Sequence, residues 1–423
     1  MSTPALTAFA RGLTTEGAFE VLAVAKTLKA AGKDVIELQI GDSPYPSSSS
    51  ALAAGKAAID AGHTRYAPSL GLPEFRAALA KLVRDEFSIA AGPENVVIAT
   101  GAKPFEQFFC ELYLEPGDAV LVFEPAFPTY LPNIQRRGAR MVTAPLTPET
   151  DFRPDLAAVA RFVRDEPRAR AVFLNSPHNP TGGVATKADV EGLAALLRGT
   201  GVALFSDEPY CHMVWRGRHH SPLAEPGMME RSVAAYTFSK SYSMSGWRCG
   251  FAVTAPPLAE VMGKLINSSL SCAPPFVQLA GLAAVAHDAA ERDRTMAEFR
   301  KKVELLVAEF RRVPGVSVAD PAGTFYVFPD VRLVCRRLGI TSHGLARYLL
   351  EGADEKVGVA CLGGECFGPA GQGFLRFSTA EPDDRLRAAV AFLADAVTRT
   401  DRVAAFLAAN PQFAVGPGSN RPA

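Results

Sequence analysis

The sequence predicts an α/β fold: a mostly parallel, seven-stranded sheet sandwiched by helices, with a smaller α+β domain made from both chain ends. Three observations predict it. Short apolar runs alternate with segments of helical period, which argues a parallel sheet covered on both faces. The polar clusters fall just after those runs, at the carboxyl ends of the expected strands, where such sheets gather ligands. Beyond about Val313 the pattern changes to a separate set of strands and helices. A length of 423 residues suits two domains.

Taken in order, the first dozen residues read as a loose arm. Glu16 to Ala31 has helical periodicity and Val35 to Ile40 is a short strand. Gly41-Asp42-Ser43-Pro44-Tyr45-Pro46 breaks regular structure. Ala51 to Ala61 is a helix, and Tyr66 to Arg76 is a loop leading into another, with Pro73 near its first turn. Seven strands are expected next: Asn95–Ala99, Ala119–Phe123, Arg140–Thr143, Ala169–Leu174, Val202–Phe205, Ser232–Phe238 and Arg248–Thr254. Helices to about Leu114, near Leu131–Arg137, at Asp155–Asp165 and at Lys187–Arg198 separate most of them. The link from Lys240 to the last strand is too short for a parallel crossover, so that strand is expected to run antiparallel. Pro274 to Val313 reads as nearly all helix, with Ala289–Val313 linking the domains. Then come strand Phe325–Phe328, helix His343–Glu351, strand Val357–Ala360, a loop over 362–373, strand Phe374–Ser378 and helix Asp383–Thr398. The domain expectation is an arm and part of the small domain over 1–45, a large domain over 46–285, a small domain over 286–410, and a disordered tail over 411–423.

Composition narrows the function. With 48% hydrophobic and 21% charged residues and zero formal net charge, the chain is not a nucleic-acid binder relying on bulk positive charge. The start lacks a basic-then-apolar signal. The most apolar segment, Phe276–Ala290, is broken by Gln278, His287 and Asp288, so it reads as a buried helix and no membrane partner is expected. Seven cysteines in irregular spacing, without Cys-x-x-Cys, argue a reducing, cytoplasmic setting and neither a disulfide framework nor a metal site. Cys361 and Cys366 flank a Gly-Gly turn and read as half-buried thiols. His219-His220, after Arg216 and Arg218, read as a solvated patch.

The chemistry centres on Thr237 to Arg248. Lys240 follows an apolar run, hydroxyl residues surround it, and Arg248 comes eight residues later. This suits a lysine forming a covalent imine beside groups that hold a phosphate. One cofactor joins an aldehyde to a phosphate: pyridoxal 5'-phosphate. Its other needs have candidates at the strand ends. Asp207 would keep the ring nitrogen protonated, Asn179 and Tyr210 would donate to the ring oxygen, and Phe127 would lie on the ring face. The turn Gly101-Ala102-Lys103 would cup the phosphate with Thr237, Ser239 and Arg248. Each has a plainer reading: Asp207 as a salt-bridge partner, Phe127 as core. Arg376, between Leu375 and Phe377, needs a partner if buried: a substrate carboxylate, or a structural Asp or Glu.

These motifs together resemble the class I/II aminotransferases of pyridoxal phosphate fold type I, the bacterial aspartate and aromatic aminotransferase branch most. They are Tyr66 with Gly71 and Arg76; Gly101-Ala-Lys103; Asn175-x-Pro-x-Asn179-Pro-Thr-Gly182; Asp207-x-x-Tyr210; Ser239-Lys240 through Gly246-Trp-Arg248; and Leu375-Arg376-Phe-Ser. The resemblance implies Lys240 as the Schiff-base lysine, Asp207 on the pyridine nitrogen, and Arg376, Gly41 and Asn179 on the substrate α-carboxylate. It also implies a homodimer in which Tyr66 reaches the neighbouring subunit's phosphate. The implied activity moves the amino group of an L-amino acid, aspartate, aromatic or similar, to a 2-oxo acid such as 2-oxoglutarate by ping-pong kinetics. A β-lyase on the same fold is the alternative. A non-catalytic cofactor-binding module is disfavoured, because no helix-turn-helix precedes the Pro-rich turn. Phe127, Pro104 and the Gly41-Asp42-Ser43-Pro44 turn depart from the commonest family pattern.

Overall fold

The computed structural model describes residues 4–13 and 15–415. In chain order its strands are β1 (Asp34–Glu37), β2 (Val96–Ala99), β3 (Ala119–Glu124), β4 (Arg140–Pro145), β5 (Ala169–Asn175) and β6 (Ala203–Asp207). They continue as β7 (Ser232–Thr237), β8 (Gly250–Val253), β9 (Tyr326–Val327), β10 (Val357–Ala360), β11 (Leu362–Gly363) and β12 (Leu375–Ser378). The seven strands from β2 to β8 form one sheet in the order β2-β8-β7-β6-β5-β3-β4. All pairings are parallel except those of β8, which is antiparallel to both neighbours, as its short connection requires.

Both faces of this sheet are buried, which is why its strands read as unbroken apolar runs. Along β2, Val96 and Ile98 pack with Phe75, Phe238 and Phe251 on one side. Val97 and Ala99 pack with Phe105, Phe109 and Phe205 on the other. Alternation with period two therefore divides each strand between two cores.

The smaller unit draws on both chain ends. Strand β1 pairs in parallel with β10, and β11-β12-β9 make a second, antiparallel sheet. Its core joins Ile36 and Leu38 to Leu306, Phe310, Tyr348 and Phe377. The Arg385 guanidinium holds Asp34 at the start of β1 with two 2.7 Å hydrogen bonds.

Several elements differ from expectation. The arm is not wholly loose, since Ala8–Gly12 is a short helix and Phe9 lies under Arg136. The helix Pro256–Ser269 is hidden in the sequence because Pro256-Pro257 reads as a break. Proline is tolerated in a first turn, and buried Ala259, Met262, Gly263 and Ile266 supply the apolar stripe. Helices Arg332–Leu338 and Thr400–Ala409 are further additions. The tail expected to be disordered is packed from 411 to 415: Phe413 stacks on Phe406, and Val415 N–H donates to Gly339. Residues 416–423 lie outside the described residues. His219 is not solvated but 2.7 Å from Glu208, which is fully buried and needs its partners, Ser206, Ser221 and Tyr236 among them. All seven cysteines are free. Among the described residues, no helix is long and apolar enough to cross a membrane.

The linking helix Ala289–Phe310 is anchored near its start. Arg292 Nη1 lies 2.9 Å from Glu86 Oε1, and His212 Nε2 lies 2.6 Å from Glu86 Oε2. Burial alone would raise the Glu86 carboxyl, but His212 and Arg292 outweigh it and hold it down at about 2. A folded pKa below the ordinary 4.5 means the ionised carboxyl stabilises the fold above about pH 4.5. That contribution is lost as pH falls through this window toward 2. Glu86→Gln is accordingly expected to lower the thermal midpoint at pH 7, by roughly 2 kcal/mol of stability. Its deficit against the parent should shrink as unfolding is measured at successively lower pH. A constant deficit would contradict the linkage.

Candidate active site

The carboxyl ends of β5, β6 and β7 and the small unit enclose a cavity of about 440 Å³. Register does much of the positioning. Strands β5 and β6 set Asn175 beside Asp207, and the following residues carry Asn179 and Tyr210 to the same edge. Lys240 lies three residues beyond β7 and its Nζ donates to Gly41 O at 2.6 Å, bridging from the large sheet to the segment after β1.

Asp207 is 5% exposed and accepts a 2.6 Å hydrogen bond from the Tyr130 hydroxyl at Oδ2. Burial pushes its carboxyl up, with the Tyr130 hydrogen bond acting against that. No ion pair of Asp207 within 4.0 Å is found among the described residues, which weighs against the plain salt-bridge reading. A cationic ring nitrogen would remove the cost of ionising it.

The expected anion cup has a built form. Arg248 has φ +57°, unusual for a residue with a side chain. It therefore ends a 3₁₀ turn over Ser245–Trp247 rather than starting a strand, a correction to the expected Arg248–Thr254. Its guanidinium donates to Ser245 O and Thr100 O and lies against Gly101. A Cβ at Gly101 would sit 2.5 Å from Arg248 Nη2, and Gly101 has φ +92°, so both space and backbone demand glycine there. The Thr237 and Ser239 hydroxyls are 2.9 Å apart. The helix from Lys103 has no side-chain cap at Ala102, and Pro104 brings no N–H, which leaves Ala102 and Lys103 as the backbone donors of this turn.

Arg376 is 4% exposed. Its Nη1 donates to Asn179 Oδ1 at 3.1 Å and its Nη2 to Gln39 O at 2.5 Å, while its Nε has no partner among the described residues. No carboxylate pairs with it among those residues, so the structural Asp or Glu weighed from sequence is not found. The Tyr326 ring lies 4.4 Å from the guanidinium.

Most of the candidates therefore line one cavity: Gly41, Ala102, Lys103, Phe127, Asn179, Asp207, Tyr210, Thr237, Ser239, Lys240, Arg248 and Arg376. Gly101 stands behind Arg248. Tyr66 is not brought in; it is 89% exposed. The donor set fits pyridoxal phosphate: a basic hydroxyl-lined cup, an amine, a buried acid, and a buried guanidinium with a free N–H.

Sequence reasoning missed four lining or supporting groups. Tyr130 falls in a turn after the Ala119–Phe123 strand and Tyr326 in an expected strand; Tyr326 reaches Gly41 so closely that a Cβ there would lie 1.7 Å from its hydroxyl. Glu106, 2% exposed, accepts from Thr129 at 2.5 Å, and burial raises its carboxyl. Glu16 comes from the arm and pairs with Lys103 at 2.8 Å. A Glu three residues into a helix that opens on a glycine turn is the one available signal for Glu106.

Residues 33–393 match the family model described as aminotransferase class I and II. An aspartate aminotransferase of Pyrococcus horikoshii is 31% identical over 356 residues, 84% of this chain and 88% of the relative. An arginine–pyruvate transaminase of Pseudomonas aeruginosa is 32% identical over 358 residues, 85% and 88% of the two chains. The structure of Thermus thermophilus aspartate aminotransferase with maleate superposes with a TM-score of 0.86 at 29% identity, over 93% of this chain and all of that one.

Proposed function

Because the chain belongs to the class I and II aminotransferases, and so is a pyridoxal phosphate-dependent transaminase, we propose that its cavity converts an L-amino acid and a 2-oxo acid by the residues assembled there. The observation that carries the reading is one enclosure holding Lys240, buried Asp207 and Arg376, which pairs with no carboxylate among the described residues. When bound, the cofactor supplies an aldehyde carbon that takes up the amino group and a protonated ring that draws electrons from the substrate α-carbon.

The chain's own residues do the rest. Lys240 Nζ removes the α-proton and returns it elsewhere, as a positioned general base. Asp207, held by the Tyr130 hydrogen bond, would keep a proton at the ring nitrogen. Asn179 and Tyr210 would donate to the ring oxygen, and Phe127 would cover the ring face. Thr237, Ser239, Arg248 and the Gly101 turn hold phosphate, with Arg248 offering the planar fork that suits it. Arg376 fixes the α-carboxylate and so the orientation of the α-hydrogen. Gly41 leaves room for Tyr326 over that site. The enzyme works in the cytoplasm as a homodimer, with exposed Tyr66 completing the partner's cup, and 2-oxoglutarate as an acceptor. The relatives' names span aspartate and arginine, so the donor is decided by this chain's own wall.

The purified holoenzyme, titrated with a panel of L-amino acids, is expected to lose its visible band in step with release of the matching 2-oxo acid. Adding 2-oxoglutarate should restore the band. Bleaching with ammonia and pyruvate release would replace transamination with β-elimination.

A further inference from the structure

Resting on the reading of the cavity as an amino-acid site, we propose that Glu16 sets its side-chain preference: by pairing with Lys103 it occupies the cation left for a second substrate carboxylate, so neutral and aromatic side chains are favoured over acidic ones. Four basic residues line the cavity: Lys103, Lys240, Arg248 and Arg376. Arg248 belongs to the anion cup, Arg376 to the α-carboxylate, and Lys240 is the reactive amine. A dicarboxylic substrate needs one more cation, since a carboxylate taken from water without a partner is costly. Among the described residues only Lys103 is left.

The Lys103 Nζ lies 5.2 Å above the Phe127 ring and 2.8 Å from Glu16 Oε2. Glu16 immediately precedes the helix Gly17–Ala30, whose Ala18 and Phe19 line the same cavity. Ile40, Phe127 and Tyr326 line the cavity as well, and buried Glu106 adds a second acidic group to it. A neutral side chain can lie there with the pair intact. An acidic one must displace Glu16 and meets its charge first. Side-chain exposures of 47% for Lys103 and 19% for Glu16 make the pair a weak one. The resulting discrimination is about fivefold, and dicarboxylates such as 2-oxoglutarate still enter.

The test uses holoenzyme and two carboxylates that cannot react, succinate and 3-phenylpropanoate, with binding read from perturbation of the visible band. In Glu16→Gln the Kd for succinate is expected to fall about five- to tenfold relative to that for 3-phenylpropanoate. The ratio of kcat/KM for aspartate over phenylalanine should rise by the same factor. If Glu16 merely tethered the arm, both ligands would shift together and the ratio would not move, which overturns the proposal. An unchanged ratio with unchanged affinities overturns it as well. If neither ligand perturbs the parent enzyme and no donor is turned over, the amino-acid reading itself fails first.

Discussion

Lys240→Ala is expected to lower turnover by about 10⁴-fold while pyridoxal phosphate remains bound. The two effects separate because different residues carry them. The phosphate cup, with Arg248 against Gly101 and the Thr237–Ser239 pair, is untouched by the substitution, as are Asp207 and its Tyr130 hydrogen bond. What disappears is the amine that donates to Gly41 O and that we propose as base for the α-proton. The measurement is cofactor content per chain after gel filtration, beside the rate of 2-oxo acid formation. A variant that keeps full activity would remove Lys240 from the mechanism. One that loses cofactor and activity together would recast it as an anchor.

Arg376→Leu is expected to reduce kcat/KM by about 10³-fold, mostly through KM. The guanidinium is buried, pairs with no carboxylate among the described residues, and is already satisfied on two nitrogens by Asn179 and Gln39. Those residues therefore desolvate a cation without providing its counter-charge. On the proposed reading a substrate carboxylate supplies that charge, which is why its loss should cost so much. Arg376→Lys keeps a charge without the planar fork and should fall between, near 10²-fold down. Thermal midpoints of both variants check the fold, and activity within threefold of the parent in Arg376→Leu would refute the assignment.

Much of this is legible because the chain encodes it locally. Buried parallel strands need continuous apolar runs, and ligand groups follow those runs directly. Asp207, Lys240 and Asn179 each come at or just after the end of such a run, and that position alone assigns them to one edge of the sheet. The antiparallel sense of β8 follows from the length of its connection. Other features depend on packing between distant segments. Tyr130 reads as a turn residue and Tyr326 as part of a strand until their hydroxyls are seen near Asp207 and Gly41. Glu16 and Lys103 are 87 residues apart, and no periodicity relates them. Strand β11, at two residues inside the stretch expected as a loop over 362–373, is too short to carry a pattern. Arg248 reads as strand in the sequence because its positive φ is a tertiary demand, with Gly101 behind it and Ser245 holding the turn.

The pairing of β1 with β10 has a temporal consequence. Strands β2 to β8 arise from one continuous stretch of chain, so a ribosome can deliver the large sheet before the small unit exists. Strand β1 leaves early and must wait for a partner made more than three hundred residues later. Until then the segment bearing Glu16 and Gly41 has no sheet to hold it, and the entropy of closing that long loop has yet to be met. The edge of the large sheet that carries Asp207 and Lys240 can thus be framed during synthesis, whereas the wall bearing Glu16 and Gly41 is fixed only once β10 has been made.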